Sequence, residues 1–291
     1  MACLRISAFV CGLIAFWVTP SAAATITVKD DLGRAVEMKA PAQRIVALAP
    51  FLTELAYSAG LGERLVGVSA FSDFPEQARR LPQVANAATL SMEPIAALRP
   101  DLVLAWRDTI RAEDVVRLEG FGTAVFVAQA RSLEDVPRLI ELLGRLGAVD
   151  ARPVAQRYVA QIAALRAAHA ARPPVDAFLE IWHRPLTTIA GPHWMNEALE
   201  VCGARNAFRD LPGVAPVVSW EELYARDPHV IVGAGAAANA AEFNANWSER
   251  PVLAAVRAKR LVFLDADTIQ RPTLRLADGV AQLCAGLDRM P

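Results

Sequence analysis

"VAQRYVAQIAALRAAHAARPP" (residues 154–174) runs without glycine or proline until Pro173-Pro174 stop it. Val154, Tyr158, Ile162, Leu165 and His169 recur at helical spacing and share one stripe. A helix from Val154 to about Ala171 would be a rod of roughly 25 Å at ~1.5 Å rise per residue. Nothing in the stretch bends it, so it reads as a stiff connector. The fold then depends on what lies at its two ends.

Before it, from Arg44, short apolar runs alternate with helical ones. "RIVALAP" (44–50) and "LVGVSA" (65–70) flank "TELAYSAGLG" (53–62), a helix opened by Thr53 and stopped at glycine. "DLVLAW" (101–106), "RAEDVVRLEGFG" (111–122) and "TAVFVA" (123–128) repeat the pattern. "SLEDVPRLIELLGRLG" (132–147) starts with Ser132 and an acid three residues on, a capping box with Asp135 in place of Glu. After Pro174 the alternation resumes with "DAFLEIW", "TTIAG", "WMNEALEVCG", "HVIVGAG", "RLVFLDA" and a last helix from about Pro272 to Leu287. Near-continuous apolar strands between helices imply parallel sheets covered on both faces. The expected fold class is therefore α/β: two lobes with mainly parallel sheets joined by a single long α-helix. The expected boundaries are 25–148 for the first lobe, 149–173 for the linker helix and 174–291 for the second lobe.

Residues 1–24 are set apart. Arg5, the apolar run "ISAFVCGLIAFWV" (6–18) and the small residues of "TPSAAA" (19–24) read as a secretory signal peptide cut near Ala24. The run is too short to span a bilayer, which wants about 20 apolar residues, and no other segment is apolar enough. Export implies an oxidising compartment. Cys3 and Cys11 leave with the leader, so Cys202 and Cys284 remain as a pair. A disulfide is the natural reading, with two buried thiols as the alternative; closing a loop of roughly 80 residues is worth about 4 kcal/mol in the chain-entropy model. With 30 basic and 31 acidic residues, bulk charge favours neither nucleic acid nor an anionic membrane as a partner.

The two halves share a sentence. "SMEPIAALRPDLVLAW" (91–106) and "SWEELYARDPHVIVGA" (219–234) place Ser, Glu, Ala and Pro at the same offsets. Each Ser reads as an N-cap, with Glu93 and Glu221 in the first helical turn; "SWEE" is a full capping box of Ser219 and Glu222. Helix electrostatics explain an acid in each first turn. One lobe folded twice explains the matched offset, and gives one carboxylate per lobe for a partner with two-fold symmetry.

The chain from about Arg44 to Leu287 resembles the periplasmic substrate-binding proteins of ABC importers with a helical backbone, most closely their cobalamin-binding branch. The resemblance is carried by "RIVALAPFLTELAYSAGLGERLVGVSAFSDFPEQA", "LRPDLVLAW", "EALEVCGARNAF" and "RPTLRLADGVAQLCAGL". It implies a monomeric periplasmic receptor, without intrinsic cofactor, that carries cobalamin to a dimeric permease. It implies that Glu93 and Glu221 dock on permease arginines and that Cys202 and Cys284 are bridged. Phe71 and Trp106 match positions where such relatives set aromatics against the corrin; core packing is the alternative for each. Other positions that often bear Trp are here Ala87, Ala215 and Thr268, while this chain has Trp182, Trp194 and Trp220 elsewhere.

Ligands of open α/β sheets sit beyond the carboxyl ends of strands, which here carry Phe71, Trp106 and Trp182-His183. Trp182-His183 and His193-Trp194 bracket an expected hairpin. Either His183 or His193 is a candidate axial ligand to a corrinoid cobalt or haem iron; a side-arm hydrogen bond or a helix cap is the alternative. Arg107 and Arg271 are candidate polar contacts, with a solvated surface charge as the alternative for each. No protein-only metal site is expected, because two histidines are too few. Haem or a ferric siderophore on the same fold is the rival reading. A secreted hydrolase is the remote one, since neither G-x-S-x-G nor H-E-x-x-H occurs.

Overall fold

In the computed structural model, which describes residues 25–86 and 89–290, two parallel sheets stand on either side of a shared apolar core. The expected leader, with Cys3 and Cys11, and Ala87 lie outside the described residues.

The first lobe opens with an antiparallel hairpin, β1 (Ile26–Lys29) and β2 (Ala35–Met38). Then come β3 (Ile45–Ala47), α1 (Pro50–Ser58), β4 (Leu65–Ser69), β5 (Gln83–Ala85), α2 (Met92–Ala97), β6 (Leu102–Trp106), α3 (Ala112–Gly120), β7 (Ala124–Ala128) and α4 (Asp135–Leu146). The five-stranded sheet has the order β5-β4-β3-β6-β7, all parallel. Ile45–Ala47 and Leu102–Ala105 are wholly buried, as strands with helices on both faces must be. Helix α1 starts earlier than Thr53: Pro50 occupies its first turn, where a missing N–H costs nothing. Thr53 is instead buried inside the helix and donates to Ser72 Oγ at 3.0 Å. Asp135 fulfils one half of its expected box, accepting from Ser132 N at 2.9 Å, but the Ser132 hydroxyl donates to the same carboxylate.

The linker is α5 (Arg152–His169), two residues earlier at its start than the stripe suggested because Pro153 is tolerated in the first turn. Tyr158 and Ile162 are buried, and His169 Nδ1 lies 2.8 Å from the Leu165 carbonyl oxygen, a structural role. Burying Ile162 is worth about 1.5–3 kcal/mol, while the buried Tyr158 hydroxyl, which makes no hydrogen bond, offsets part of what its ring contributes. Helices α4 and α5 pack on one another, and α5 also packs against two helices of the second lobe, so the linker is part of the core rather than a free tether.

The second lobe runs β8 (Val175–Glu180), β9 (Trp182–His183), β10 (Leu186–Thr187), α6 (Trp194–Val201), β11 (Ala204–Asn206), α7 (Trp220–Arg226), β12 (Val230–Gly235), α8 (Ala240–Ser248), α9 (Ala254–Arg257), β13 (Leu261–Asp265), α10 (Ala266–Ile269) and α11 (Leu276–Asp288). Its sheet has the order β11-β8-β12-β13, again all parallel. The expected hairpin is present: β9 pairs with β10, Trp182 opposite Thr187. The last helix begins at Leu276, not Pro272, so Arg271 lies in the segment between α10 and α11. Gly279 lets α11 approach α10 closely; a Cβ there would stand 2.7 Å from the Thr268 carbonyl oxygen. Cys202 and Cys284 form a disulfide with Cα atoms 4.8 Å apart, tying α11 to the end of α6 within this lobe.

Candidate functional site

Residues of both lobes meet in one crevice. Pro50 and Phe51 at the start of α1, Trp106 at the end of β6, and Ala130 come from the first lobe; Trp194, Gln270, Arg271 and Pro272 come from the second. They enclose a hollow of about 140 Å³. Trp106 is half-buried and meets Phe51 edge to face, with ring centroids 5.7 Å apart. Trp194 is anchored by donating from Nε1 to the Ile269 carbonyl at 3.1 Å.

The crevice is bridged by charge. Glu54, buried on α1, accepts from Arg271 Nη1 (3.0 Å), Arg275 Nη2 (2.7 Å) and Arg275 Nε (3.0 Å). Arg271 also donates to Asp73 at 3.0 Å and pairs with Asp267 at 3.0 Å. Arg275 covers the ring of Phe74 at 4.0 Å. Burial works against the Arg271 charge, yet the hydrogen bonds to Asp73 and Glu54 and the field of Asp267 outweigh it and raise its pKa. Burial likewise opposes ionisation of Asp73, and Arg271 overcomes it, holding that carboxyl below its usual range. Arg271 is thus no solvated surface charge. Nearer the linker, Glu197 of the second lobe accepts from Leu133 N of the first at 2.7 Å.

Phe71 lies two residues from Asp73, on the loop after β4. It is 75 % exposed and held at φ +62°, a left-handed conformation that is costly for a bulky residue. Arg107 turns its Nη1 back to the Asp31 carbonyl at 3.2 Å, holding the β1–β2 turn. His193 is 6 % exposed, lies over Trp194, and accepts from Met195 N through Nδ1, which makes it the N-cap of α6. Burial, helped by nearby Arg131, pushes its pKa down to about 4. Capping occupies one of its two ring nitrogens.

Trp182 and His183 line a different hollow, at the carboxyl ends of β8 and β12. This cavity of about 630 Å³ is bounded also by Glu180, Glu242, Phe243 and Phe263. Trp182 is 64 % exposed and its Nε1 donates to the Arg184 carbonyl at 3.0 Å. His183 packs edge to face on Trp220 and Trp247. Its Nδ1 lies 3.2 Å from Glu180 Oε1 without a hydrogen bond between them. Burial disfavours the charged form of both groups: Glu180 rises to about 7 despite the hydrogen bond from Trp247, and His183 falls. At pH 7 the His183 imidazole is then neutral and Glu180 about half protonated, so the two stand close without a full ion pair.

Glu93 and Glu221 are exposed in the first turns of α2 and α7 and, among the described residues, make no ion pair. The two copies differ in their caps. Ser219 accepts from Glu222 N at 3.1 Å, while Ser91 makes no side-chain cap. The Glu222 carboxylate pairs with Arg226 instead of completing a box. Ala215 is exposed, and Thr268 is buried with its hydroxyl donating to the Asp265 carbonyl. Among the described residues no group of three or more His, Cys, Asp or Glu could hold a metal ion. Glu54, Asp73 and Arg275 were not singled out from the sequence. The available signal was a glutamate inside the apolar run "FLTELA" (51–56), which needs a partner once its helix is buried.

Comparison with known proteins agrees with this arrangement. The model of the periplasmic binding protein family matches residues 45–268. A vitamin B12-binding protein of Vibrio cholerae is 36 % identical over 250 residues, covering 85 % of this chain and 90 % of that protein. The crystal structure of the periplasmic vitamin B12-binding protein of Vibrio cholerae superposes with a TM-score of 0.79 at 34 % identity, covering 85 % of this chain and 97 % of that one. A periplasmic haem-binding protein from Pseudomonas aeruginosa follows at 27 % identity and a TM-score of 0.69, covering 86 % and 94 %. With the family model spanning most of the chain and a relative at 36 % identity over 85 % of it, the chain belongs to the periplasmic binding protein family.

Proposed function

We propose that this chain is a periplasmic receptor that captures cobalamin or a related corrinoid between its lobes and delivers it to an ABC importer. The observation that carries the reading is Phe71: an exposed aromatic at an unfavourable φ, on the loop whose Asp73 bridges the lobes. A ring so exposed gains little packing from the chain itself, and a flat apolar guest supplies it. The 36 % identity to a vitamin B12-binding protein supports the same ligand. Phe71 and Trp106 would lie against the macrocycle, with Arg271 and Trp194 beneath and Trp182, His183 and Arg184 toward its periphery. A hollow of about 140 Å³ is too small to enclose a macrocycle, so the ring would lie across its mouth with the Glu54 bridge intact. The stiff α5 keeps lobe motion on binding small. Glu93 and Glu221 would dock on a dimeric permease, one carboxylate per lobe, from a monomeric receptor.

Titration with hydroxocobalamin, read by tryptophan fluorescence, tests the proposal, because Trp106 and Trp194 line the crevice. Saturable one-to-one quenching at micromolar protein is expected. Saturation by ferric haem but not by cobalamin would transfer the reading to the rival ligand.

A further inference from the structure

We infer that Glu54 sets the charge selectivity of the cleft, turning away guests whose rim carries carboxylates. The inference rests on the corrinoid reading above and adds a determinant to it. Arginines at the mouth of a binding cleft ordinarily attract anions. Here Arg271, which lines the crevice, and Arg275, which shares Glu54 with it, are already committed. Glu54, its side chain 2 % exposed, takes three charge-assisted hydrogen bonds from Arg271 and Arg275. Asp73 and Asp267 take two further contacts from Arg271. Arg79 joins the group by donating to the Asp73 carbonyl at 3.2 Å. Three carboxylates therefore face three guanidinium groups, and the ensemble presents no net positive charge.

The outer members are what a guest meets. The side chains of Asp73 and Asp267 are 39 % and 45 % exposed and retain oxygen lone pairs, so the rim offers acceptors and negative charge. An anionic rim group would meet that charge and would have to displace Glu54 from arginines it already holds. A neutral amide rim group, which both donates and accepts, meets neither penalty. Glu54 is central because it is the one carboxylate shared by both arginines and because solvent screens it least. Removing its charge leaves the group with a net positive charge directed at the crevice.

Ferric protoporphyrin IX and its dimethyl ester test this, since they share a macrocycle and differ in two carboxylates. The wild-type protein should bind the diester at least as tightly as the diacid. In Glu54→Gln, which keeps the side chain's size and one acceptor, the preference should swing toward the diacid on the order of tenfold at low salt, and shrink as salt rises. A cleft that had merely loosened would admit both porphyrins equally, so the ratio separates selection from structural damage. Asp73→Asn, at the more exposed position, should swing the ratio the same way and serves if Glu54→Gln does not fold. An unchanged ratio in folded variants, no diacid binding by either variant, or a wild-type preference for the diacid would overturn the inference. Failure of the wild-type protein to bind cobalamin overturns the corrinoid reading instead, and is seen in a separate titration.

Discussion

Arg275 reaches across the lobe boundary and grips Glu54 with two nitrogens, at 3.0 and 2.7 Å, while its guanidinium lies 4.0 Å over Phe74. One side chain of the second lobe thus holds both a buried carboxylate and an aromatic ring of the first. Arg275→Ala leaves Glu54 with Arg271 alone and uncovers Phe74. The expected loss is about 2 kcal/mol, the cost of under-satisfying a buried charged acceptor. Urea unfolding followed by circular dichroism measures it. A midpoint indistinguishable from wild type would mean that the contact adds nothing to the closed arrangement.

Phe71 allows a prediction in which stability and binding move in opposite directions. Glycine adopts φ +62° without the penalty a bulky residue bears, so Phe71→Gly should stabilise the empty protein by about 1 kcal/mol. The same change removes an exposed ring and should weaken cobalamin binding on the order of tenfold. Thermal melts and equilibrium titration give the two readouts. Loss of stability with unaltered affinity would make the ring a packing element.

Glu180 imposes a pH dependence whose sign follows from its raised pKa. In the folded protein it keeps its proton to about pH 7, whereas an unfolded glutamate releases it near 4.5. Its contribution to stability is full below about 4.5 and is lost as the pH rises toward 7. Glu180→Gln, which still accepts from Trp247, should therefore match wild type at pH 4.5 and exceed it by up to about 3 kcal/mol at pH 8. Denaturation at the two pH values decides this. Equal curves for both proteins at pH 8 would show that Glu180 ionises at no cost.

How far the sequence could be read depended on how local each feature was. The apolar runs of β3, β6 and β8, the stripe Val154–Tyr158–Ile162 of the linker and the Cys202–Cys284 pair were legible, because strand and helix periods and a shared compartment are written in neighbouring residues or in composition. Helix starts were less so. Pro50 and Pro153 each took a first turn that a capping rule or an apolar stripe had placed later. The bridge from Glu54 to Arg271 and Arg275 was not legible, since its partners stand 217 and 221 positions apart and meet only when the lobes dock. His193 was ambiguous for a different reason: an imidazole before a helix is chemically fit to cap or to ligate, and only the Met195 N contact distinguishes them.

Docking on a permease is separable from ligand capture. Glu93 and Glu221 are exposed and belong to neither hollow. Reversing both to Lys should abolish uptake of radiolabelled cobalamin by cells that depend on this receptor. Affinity measured on the purified variant should stay within about twofold of wild type, as expected for exposed charges away from the site. Uptake at the wild-type rate would remove them from the docking surface, and a collapse in affinity would place them in the binding site.

The most direct test of the central claim is anomalous X-ray scattering at the cobalt edge from crystals grown with cyanocobalamin. The account predicts a single cobalt peak between the lobes, with the macrocycle against Phe71 and Trp106 and Arg271 at its edge. Fully liganded crystals whose cobalt lies outside the crevice, on either lobe alone, would contradict it.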